Sequence, residues 1–563
     1  MNIPYYNDYP EASTVRELVS MSSTRFNQGI AYSYRQRPSD PEAVHVTFRR
    51  FAYDVKCLGT AELECGMAGV HCALIGKLSY NWVLCYMSLL SIGAVLVPLD
   101  RDWSAEDLAD TVKKADCRFL ICDGDLSEKA EKICEAAGIE KRIFMSGDCE
   151  EISSMLATGA TLVAEGDDSF YKAPIDPNAL ALLVFTSGTT GKGKGVMLTQ
   201  KAILSNVADA LKVNRWGKKM VAVLPPHHTF GSTVGILAVL CCGVENYISS
   251  GIRYLLGELK AEQPDMMVLV PLYLETFKRK ILSTVKEKKL ERVFSAMLSL
   301  SRGAKRVGVK KATDKLFSSV LAAFGGKLKL VVCGGAPLNE DVLSFFNAMG
   351  ITVLNGYGIT ECSPLISVNR VGDVIPGSVG SLIPSDRLKI EVIGDGDEGE
   401  ICVTGPNVML GYYKDEAATA ACMDGDGYFH TGDIGRVDDE GHIYITGRLK
   451  NLIILSNGKN VYPEEIENVL STIPGVMEMV VYEGQSRRGA QFNSIVAEFY
   501  MDPDYAKDNG ISDVKRYLQT YTENYNRTAV PYKKIDLIRV RQTEFPKNTL
   551  RKILRFKLDR TID

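Results

Sequence analysis

From 184 to 196 the chain reads VFTSGTTGKGKGV, with hydroxyls at Thr186, Ser187, Thr189 and Thr190, glycines at Gly188, Gly191, Gly193 and Gly195, and a cation at Lys194. Glycine lets the backbone approach a ligand closely, the hydroxyls donate hydrogen bonds, and a lysine suits the terminal phosphates of a nucleotide. Through Gly188, Gly193 and Lys194 the stretch follows the Walker pattern G-x-x-x-x-G-K-[ST], but Gly195 stands where that pattern needs a magnesium-binding hydroxyl. A Walker lysine also opens a helix, whereas Lys194 leads into GVML, which reads as a strand. Taken alone, the stretch also describes a Gly/Ser/Thr surface loop.

Five further stretches stand beyond it: GGAP (334–337), NGYGITECSP (355–364), GYFHTGDIG (427–435), GRLK (447–450) and PKNTLRKILR (546–555). In this order, together with the loop, they resemble the motif set of the adenylate-forming superfamily, and the texture is nearest to its bacterial fatty acyl-CoA synthetases. The resemblance spans 184–555 and implies a large N-terminal domain and a small mobile C-terminal domain. It also implies a two-step reaction with ATP, Mg2+ and coenzyme A. A carboxylate attacks the α-phosphorus of ATP and expels pyrophosphate, and a thiol then attacks the acyl-adenylate and expels AMP.

By the same resemblance, Thr186, Ser187, Gly188, Thr189, Thr190, Gly191 and Lys194 wrap the phosphates, and Gly335, Ala336 and Pro337 pack along adenine and substrate. Asn355, Gly356 and Tyr357 belong to the nucleotide site, with Tyr357 stacked on adenine. Thr360 contacts the α-phosphate, and Glu361 binds magnesium, a hard cation that takes a carboxylate plus phosphate oxygens. Asp433 is the expected ribose ligand, with Arg448 a donor nearby. Lys552 is the expected catalytic lysine, a fixed cation that stabilises charge on the attacked phosphorus without transferring a proton. Relatives place that lysine after a glycine; Arg551 precedes Lys552 here, which leaves Lys547 as a rival. Lys450 matches the hinge on which the C-terminal domain turns, and Gly458 is expected beside the pantetheine arm of coenzyme A. His228 and Phe230, in LPPHHTFGSTVG, match the histidine-aromatic element that orients the carboxylate. Gly193 and Gln200 depart from the family, which often has proline and histidine there.

Amino-acid adenylation domains place an aspartate directly after that aromatic; here Gly231 follows Phe230, so a buried ammonium would lack its counter-charge. Gly231 is expected to leave room for an unbranched chain, and TFGSTVGILAVL is apolar enough to wall a tunnel. A medium- or long-chain fatty acid is therefore the first choice of substrate. An aryl acid, and an acyl carrier protein in place of coenzyme A, stay open. Two alternatives come from other classes: a nucleotide-binding regulator without turnover, and a motion-coupled NTPase that releases phosphate rather than pyrophosphate. The presence of Lys552, Glu361 and Asp433 weighs against the regulator.

These groups need elements to position them. Apolar β-rich runs (ALALLVF, MVAVLPP, DMMVLVP, LKLVVCG, ITVLNGYG) alternate with helical patterns, predicting α/β layers with buried strands and function at strand ends. Ile203, Val207 and Leu211 recur at helical spacing with Thr199 as N-cap. The uncharged stretch 78–99 is long enough to suggest a membrane span, but Asn81, Gly93 and Pro98 favour a buried helix to about Ile92 and then a short strand. From about Arg387 short alternating strands and Gly/Asp turns predict a β-rich subdomain over 387–449. The domains expected are 1–449 and a mobile α+β lid over 450–563, whose first helix carries Ile466, Val469, Leu470 and Ile473 and ends at Pro474-Gly475.

With 563 residues, 46% hydrophobic and 24% charged, the chain has the composition of an ordinary multidomain globular enzyme. A net charge of -4 gives no reason to expect a nucleic-acid partner. The 14 cysteines lack C-x-x-C spacing, which argues against a zinc site or a disulfide framework. The first residues show no secretory pattern, so a cytoplasmic protein without a transmembrane segment is expected, with peripheral membrane contact if the substrate is a long lipid.

Overall fold

The computed structural model describes residues 11–186, 193–306, 317–393, 396–455, 459–485, 494–547 and 553–562. The chain divides into two compact units, one of residues 1–387 and 403–429, the other of 388–402 and 430–563.

Two α/β layers organise the first unit. A nine-stranded sheet runs in the order Ser381–Leu382, Leu365–Val368, Thr352–Gly358, Leu330–Cys333, Met266–Leu269, Lys219–Ala222, Glu245–Ile248, Ile30–Tyr34, Val44–Thr47. Thr352–Gly358, Leu330–Cys333, Met266–Leu269 and Lys219–Ala222 are parallel neighbours, so the loops after them emerge along one edge. Helices cover both faces, which explains the unbroken apolar runs of these strands. Leu269, Val331, Cys333 and Val353 are fully buried in one core with Phe277, Phe324 and Phe346.

The second sheet has seven strands, ordered Gly411–Tyr412, Lys194–Thr199, Leu180–Thr186, Val95–Leu99, His71–Ile75, Cys117–Cys122, Lys141–Phe144. Lys194–Thr199 returns antiparallel to Leu180–Thr186, with Thr186 opposite Lys194. The phosphate-loop motif therefore joins two strands of a hairpin, as GVML predicts, and does not open a helix as a Walker loop does. Helix Gln200–Val213 comes next, with the Thr199 hydroxyl accepting from Ala202 N at 2.9 Å. Gln200, the departure from histidine, is buried between elements: its amide donates to Leu90 O and accepts from Val15 N, both at 2.8 Å. The stretch 78–99 forms helix Tyr80–Ser91 and strand Val95–Leu99, broken at Gly93, where φ is +76° and a side chain would meet the Pro174 carbonyl. Among the described residues no helix is long and apolar enough to cross a membrane.

The second unit holds a four-stranded sheet (Arg387–Val392, Gly399–Thr404, Phe429–Val437, Ile443–Arg448) and a three-stranded one (Val476–Gly484, Ser494–Met501, Leu537–Arg541) with helices Pro463–Leu470 and Val514–Thr528. Lys450, where the mobile lid is expected to begin, lies in this unit. Gly447 sits close beneath Tyr462, where a Cβ would be 3.1 Å from its ring, so the β-rich strands and the first C-terminal helix pack together. That helix buries Ile466 and Leu470 but leaves Val469 53% exposed, and it ends at Leu470, before Pro474.

Candidate active site

Topology brings the first group of site residues together. Cys333 pairs with both Leu269 and Asn355 across the parallel strands, so Gly334 and Gly335 emerge beside Gly356 and Tyr357. These backbones, with Phe230 and Val234, line a predominantly apolar slot completed by Trp216, Leu330, Val332, Leu365 and Val368. Gly335 takes a φ of +83°, which a side chain would strain, and Phe230 lies against Gly334. Ala336 and Pro337 come next in the loop before helix Glu340–Ala348, half-buried and exposed respectively. Asn355 turns inward instead: its amide donates to Ser378 O at 3.3 Å, and its N–H donates to Asn369 Oδ1 at 3.0 Å.

His227 and His228 stand just before the π-helix Phe230–Ala238, a wide winding frequent at functional sites. Burial pushes His227 down to about 4; burial, and then His227 itself, push His228 down to about 3. Both rings are therefore neutral at pH 7. Among the described residues neither Nε2 has a hydrogen-bond partner, although His227 Nε2 lies 3.8 Å from the buried Asp100 carboxylate. A buried, neutral imidazole nitrogen without a partner, in the turn that leads into the π-helix, suits a carboxylate ligand when it carries the proton. Gly231 differs from expectation. The space its side chain would take is filled by the Pro225 carbonyl, 2.3 Å from an ideal Cβ, so glycine here permits a tight backbone approach and does not open the slot.

Glu361 lies in the turn Thr360–Cys362, at the exit of strand Thr352–Gly358. Two buried amides clamp that turn: Asn206 donates to Leu365 O at 2.7 Å and accepts from Leu365 N at 3.1 Å, and Asn407 donates to Cys362 O at 3.1 Å. The Met409 N–H donates to Glu361 O at 2.8 Å, and the Tyr412 hydroxyl donates to Glu361 Oε1 at 2.9 Å. Tyr412 pairs through its backbone with Val196, and Lys194 Nζ sits 4.4 Å from the centre of the Tyr412 ring. One tyrosine thus fixes both the loop lysine and the acidic side chain. Sequence reasoning missed it, and GYY at 411–413 was the available signal. A partly buried carboxylate with one oxygen so fixed, on a turn at the phosphate-loop hairpin, fits a magnesium ligand.

The second unit carries a separate constellation. Asp433 is buried, 2% exposed, and Arg448 directly opposite on the next strand donates from Nε to its Oδ1 at 2.7 Å. Glu400, also absent from the sequence reading, holds the HTGD stretch of strand Phe429–Val437: its carboxylate accepts from Gly432 N at 2.8 Å and bonds His430 Nδ1 at 2.9 Å. Lys450 falls in the turn Leu449–Asn451; desolvation first, and then the Arg448 cation, lower its pKa, with Asp433 opposing. Lys547 is held by Glu478 and by Glu544, the latter at 2.8 Å. Ser187, Gly188, Thr189, Thr190, Gly191, Gly458 and Lys552 lie outside the described residues.

Parallel strands that present backbone glycines and a clamped acidic turn at their ends, with a lysine-bearing hairpin of the second sheet tied to that turn through Tyr412, define a nucleotide-binding α/β enzyme. A family model described as AMP-binding enzyme matches residues 23–413, and the chain belongs to this adenylate-forming family, as an AMP-forming acid-thiol ligase. Long-chain-fatty-acid–CoA ligase 5 of Rattus norvegicus is 30% identical over 543 residues, covering 90% of this chain and 78% of the relative. Long-chain-fatty-acid–CoA ligase FadD15 of Mycobacterium tuberculosis is 28% identical over 475 residues, 80% and 77% of the two chains. ATP-bound MatB from Rhodopseudomonas palustris shares the fold at a TM-score of 0.76 and 21% identity, over 96% of this chain and 97% of that one. MenE from Bacillus subtilis, in complex with its acyl-adenylate intermediate, does so at 0.71 and 21%, over the same shares.

Proposed function

We propose that the protein activates a medium- or long-chain fatty acid to its acyl-adenylate and transfers the acyl group to coenzyme A. The observation that carries the choice of acid is the slot. Its walls from Trp216, Phe230, Val234, Leu330, Val332, Leu365 and Val368 are apolar, and among the described residues no acidic side chain lines it to pair with an ammonium.

In this scheme the neutral His228 donates from Nε2 to the carboxylate, holding one oxygen toward the α-phosphorus. Lys194 and the loop before it take the β- and γ-phosphates, Tyr357 covers the adenine, and Asp433, oriented by Arg448, accepts from the ribose hydroxyls. Magnesium bound at Glu361 would offset phosphate charge. Lys552 supplies the cation for the α-phosphorus, and the engagement of Lys547 by Glu478 and Glu544 supports that choice. Lys450 and Gly458 serve the turn of the lid and the entry of the thiol.

The test is carboxylate-dependent exchange of labelled pyrophosphate into ATP, across acetate to palmitate, benzoates and amino acids, followed by thioester detection with coenzyme A. Exchange is expected to peak on a fatty acid and to fall by about 100- to 1,000-fold in Lys552→Ala, the range for loss of one electrostatic stabiliser. A peak on benzoates, or thioester formed only on an acyl carrier protein, would overturn the choice of acid or of acceptor. Release of phosphate in place of pyrophosphate would overturn the scheme altogether.

A further inference from the structure

Charge is unevenly distributed in this chain. Residues 271–306 contain ten Lys and Arg against three Glu, whereas the other 527 residues contain 55 basic and 66 acidic side chains. The segment folds as two helices, Pro271–Glu287 and Glu291–Arg306, joined by three residues. Each helix has one face committed to the core: Leu274, Phe277, Ile281 and Val285 on the first and Phe294 and Ser301 on the second are buried, with Phe294 against Phe317 and Phe345.

The opposite side combines cations with apolar groups. Lys280, Lys286, Lys288, Lys289, Arg292 and Arg302 are exposed, and among them Leu282, Leu290, Val293 and Leu300 are 41%, 45%, 57% and 68% exposed. Leu290 lies in the link between the helices and Val293 in the first turn beyond it, so two aliphatic side chains stand at the tip of a basic hairpin. Nucleic-acid phosphates would meet the cations but offer no apolar layer to the leucines; a bilayer surface offers both anionic headgroups and acyl chains.

We propose that the outer face of 271–303 docks this protein on anionic phospholipid. The cations lie over the headgroups, and Leu290, Val293 and Leu300 reach the acyl boundary. The contact rests on charge and exposure alone; only its use, to take up a fatty acid from the layer in which that acid dissolves, depends on the proposed function.

The full chain, without any acid substrate, is sedimented with phosphatidylglycerol vesicles or with phosphatidylcholine vesicles. Strong binding to the first, weak binding to the second, and loss of binding as salt rises are expected. At roughly fivefold per basic residue at an anionic surface, the combined change Lys286→Gln, Lys288→Gln, Lys289→Gln, Arg292→Gln weakens binding by at least about 100-fold, with the thermal unfolding transition unchanged. Leu290→Ser with Val293→Ser weakens it independently and keeps the test decisive if the charge variant folds poorly. Equal binding to both vesicles, wild-type binding by either folded variant, or binding to an acidic carrier protein but to neither vesicle would overturn the proposal. No turnover is read, so an inactive enzyme that binds phosphatidylglycerol would refute the fatty-acid assignment and leave the docking surface standing.

Discussion

Replacing Tyr412 by phenylalanine removes a single oxygen and separates two roles of one side chain. Burial first, and then the Glu361 carboxylate, raise the phenol pKa far above the usual tyrosine value, so the hydroxyl is a donor throughout any working pH range. Its bond to Glu361 Oε1, at 2.9 Å, joins a neutral donor to a charged acceptor, a type worth about 1.5–3 kcal/mol. Losing it releases the carboxylate from its fixed orientation. In Tyr412→Phe the magnesium concentration for half-maximal pyrophosphate exchange is therefore expected to rise by about 10- to 100-fold. The aromatic ring beneath Lys194 survives in that variant. Tyr412→Leu removes the ring as well, and with it an ammonium-ring contact of about 0.5–2 kcal/mol, so the Michaelis constant for ATP should rise by a further factor of about 2 to 30. The assay is pyrophosphate exchange at fixed acid, titrated separately with magnesium and with ATP. If Tyr412→Phe titrates with magnesium as the wild type does, or if phenylalanine and leucine are indistinguishable in ATP dependence, the two-role account of Tyr412 is refuted.

The same geometry leads to other outcomes. Unfolded histidines take up protons below about pH 6.5, while His227 and His228 in the folded chain stay neutral down to about 4 and 3. Stability is thus fully present above 6.5 and declines as pH falls through that window; a thermal-melt series should show the decline flattened in the double variant His227→Phe, His228→Asn. Asp386 behaves in the opposite sense. Burial raises it to about 8, with Asn407 donating to it at 2.9 Å, so it is protonated when folded, and its contribution is lost as pH rises from about 4 toward 8. The melting temperature of Asp386→Asn relative to wild type should accordingly increase across that range, and a constant difference would refute the assignment. Trp216 occupies one side of the slot; Trp216→Ala should move the exchange optimum to longer or bulkier acids, and an unchanged chain-length profile would show that the slot does not receive the acyl chain.

Features with local causes were legible in the sequence. The period of Ile203, Val207 and Leu211 and the Thr199 cap define Gln200–Val213, because a helix records its buried face every three to four residues. GVML, too short and β-rich for a helix, separates the loop from a Walker motif. What escaped is long-range. Tyr412 reaches Glu361 across 51 residues, and Asn206 grips the 362–365 turn across more than 150; no local pattern announces such partners. Glu400 was hidden because an alternating strand gives a glutamate no sign of what it faces. Gly231 in the sequence suggests space, but whether a glycine opens a passage or admits a neighbouring backbone depends on what packs above it, here Pro225. The contact of Gly447 with Tyr462 is likewise long-range in kind, since a glycine at a strand end carries no local sign of the ring that packs on it.

The two-residue strand Gly411–Tyr412 closes the outer edge of the seven-stranded sheet against Lys194–Thr199. On the ribosome, at about 5–20 residues per second, Tyr412 is made roughly 10–40 s after Lys194. Throughout that interval the hairpin strand bearing Lys194 is an open sheet edge, with unpaired backbone groups able to recruit a wrong strand. The nascent chain is therefore most exposed to mispairing before residue 412 emerges. Chains truncated short of that point should aggregate, whereas chains ending just beyond 413 should keep the seven-stranded sheet closed.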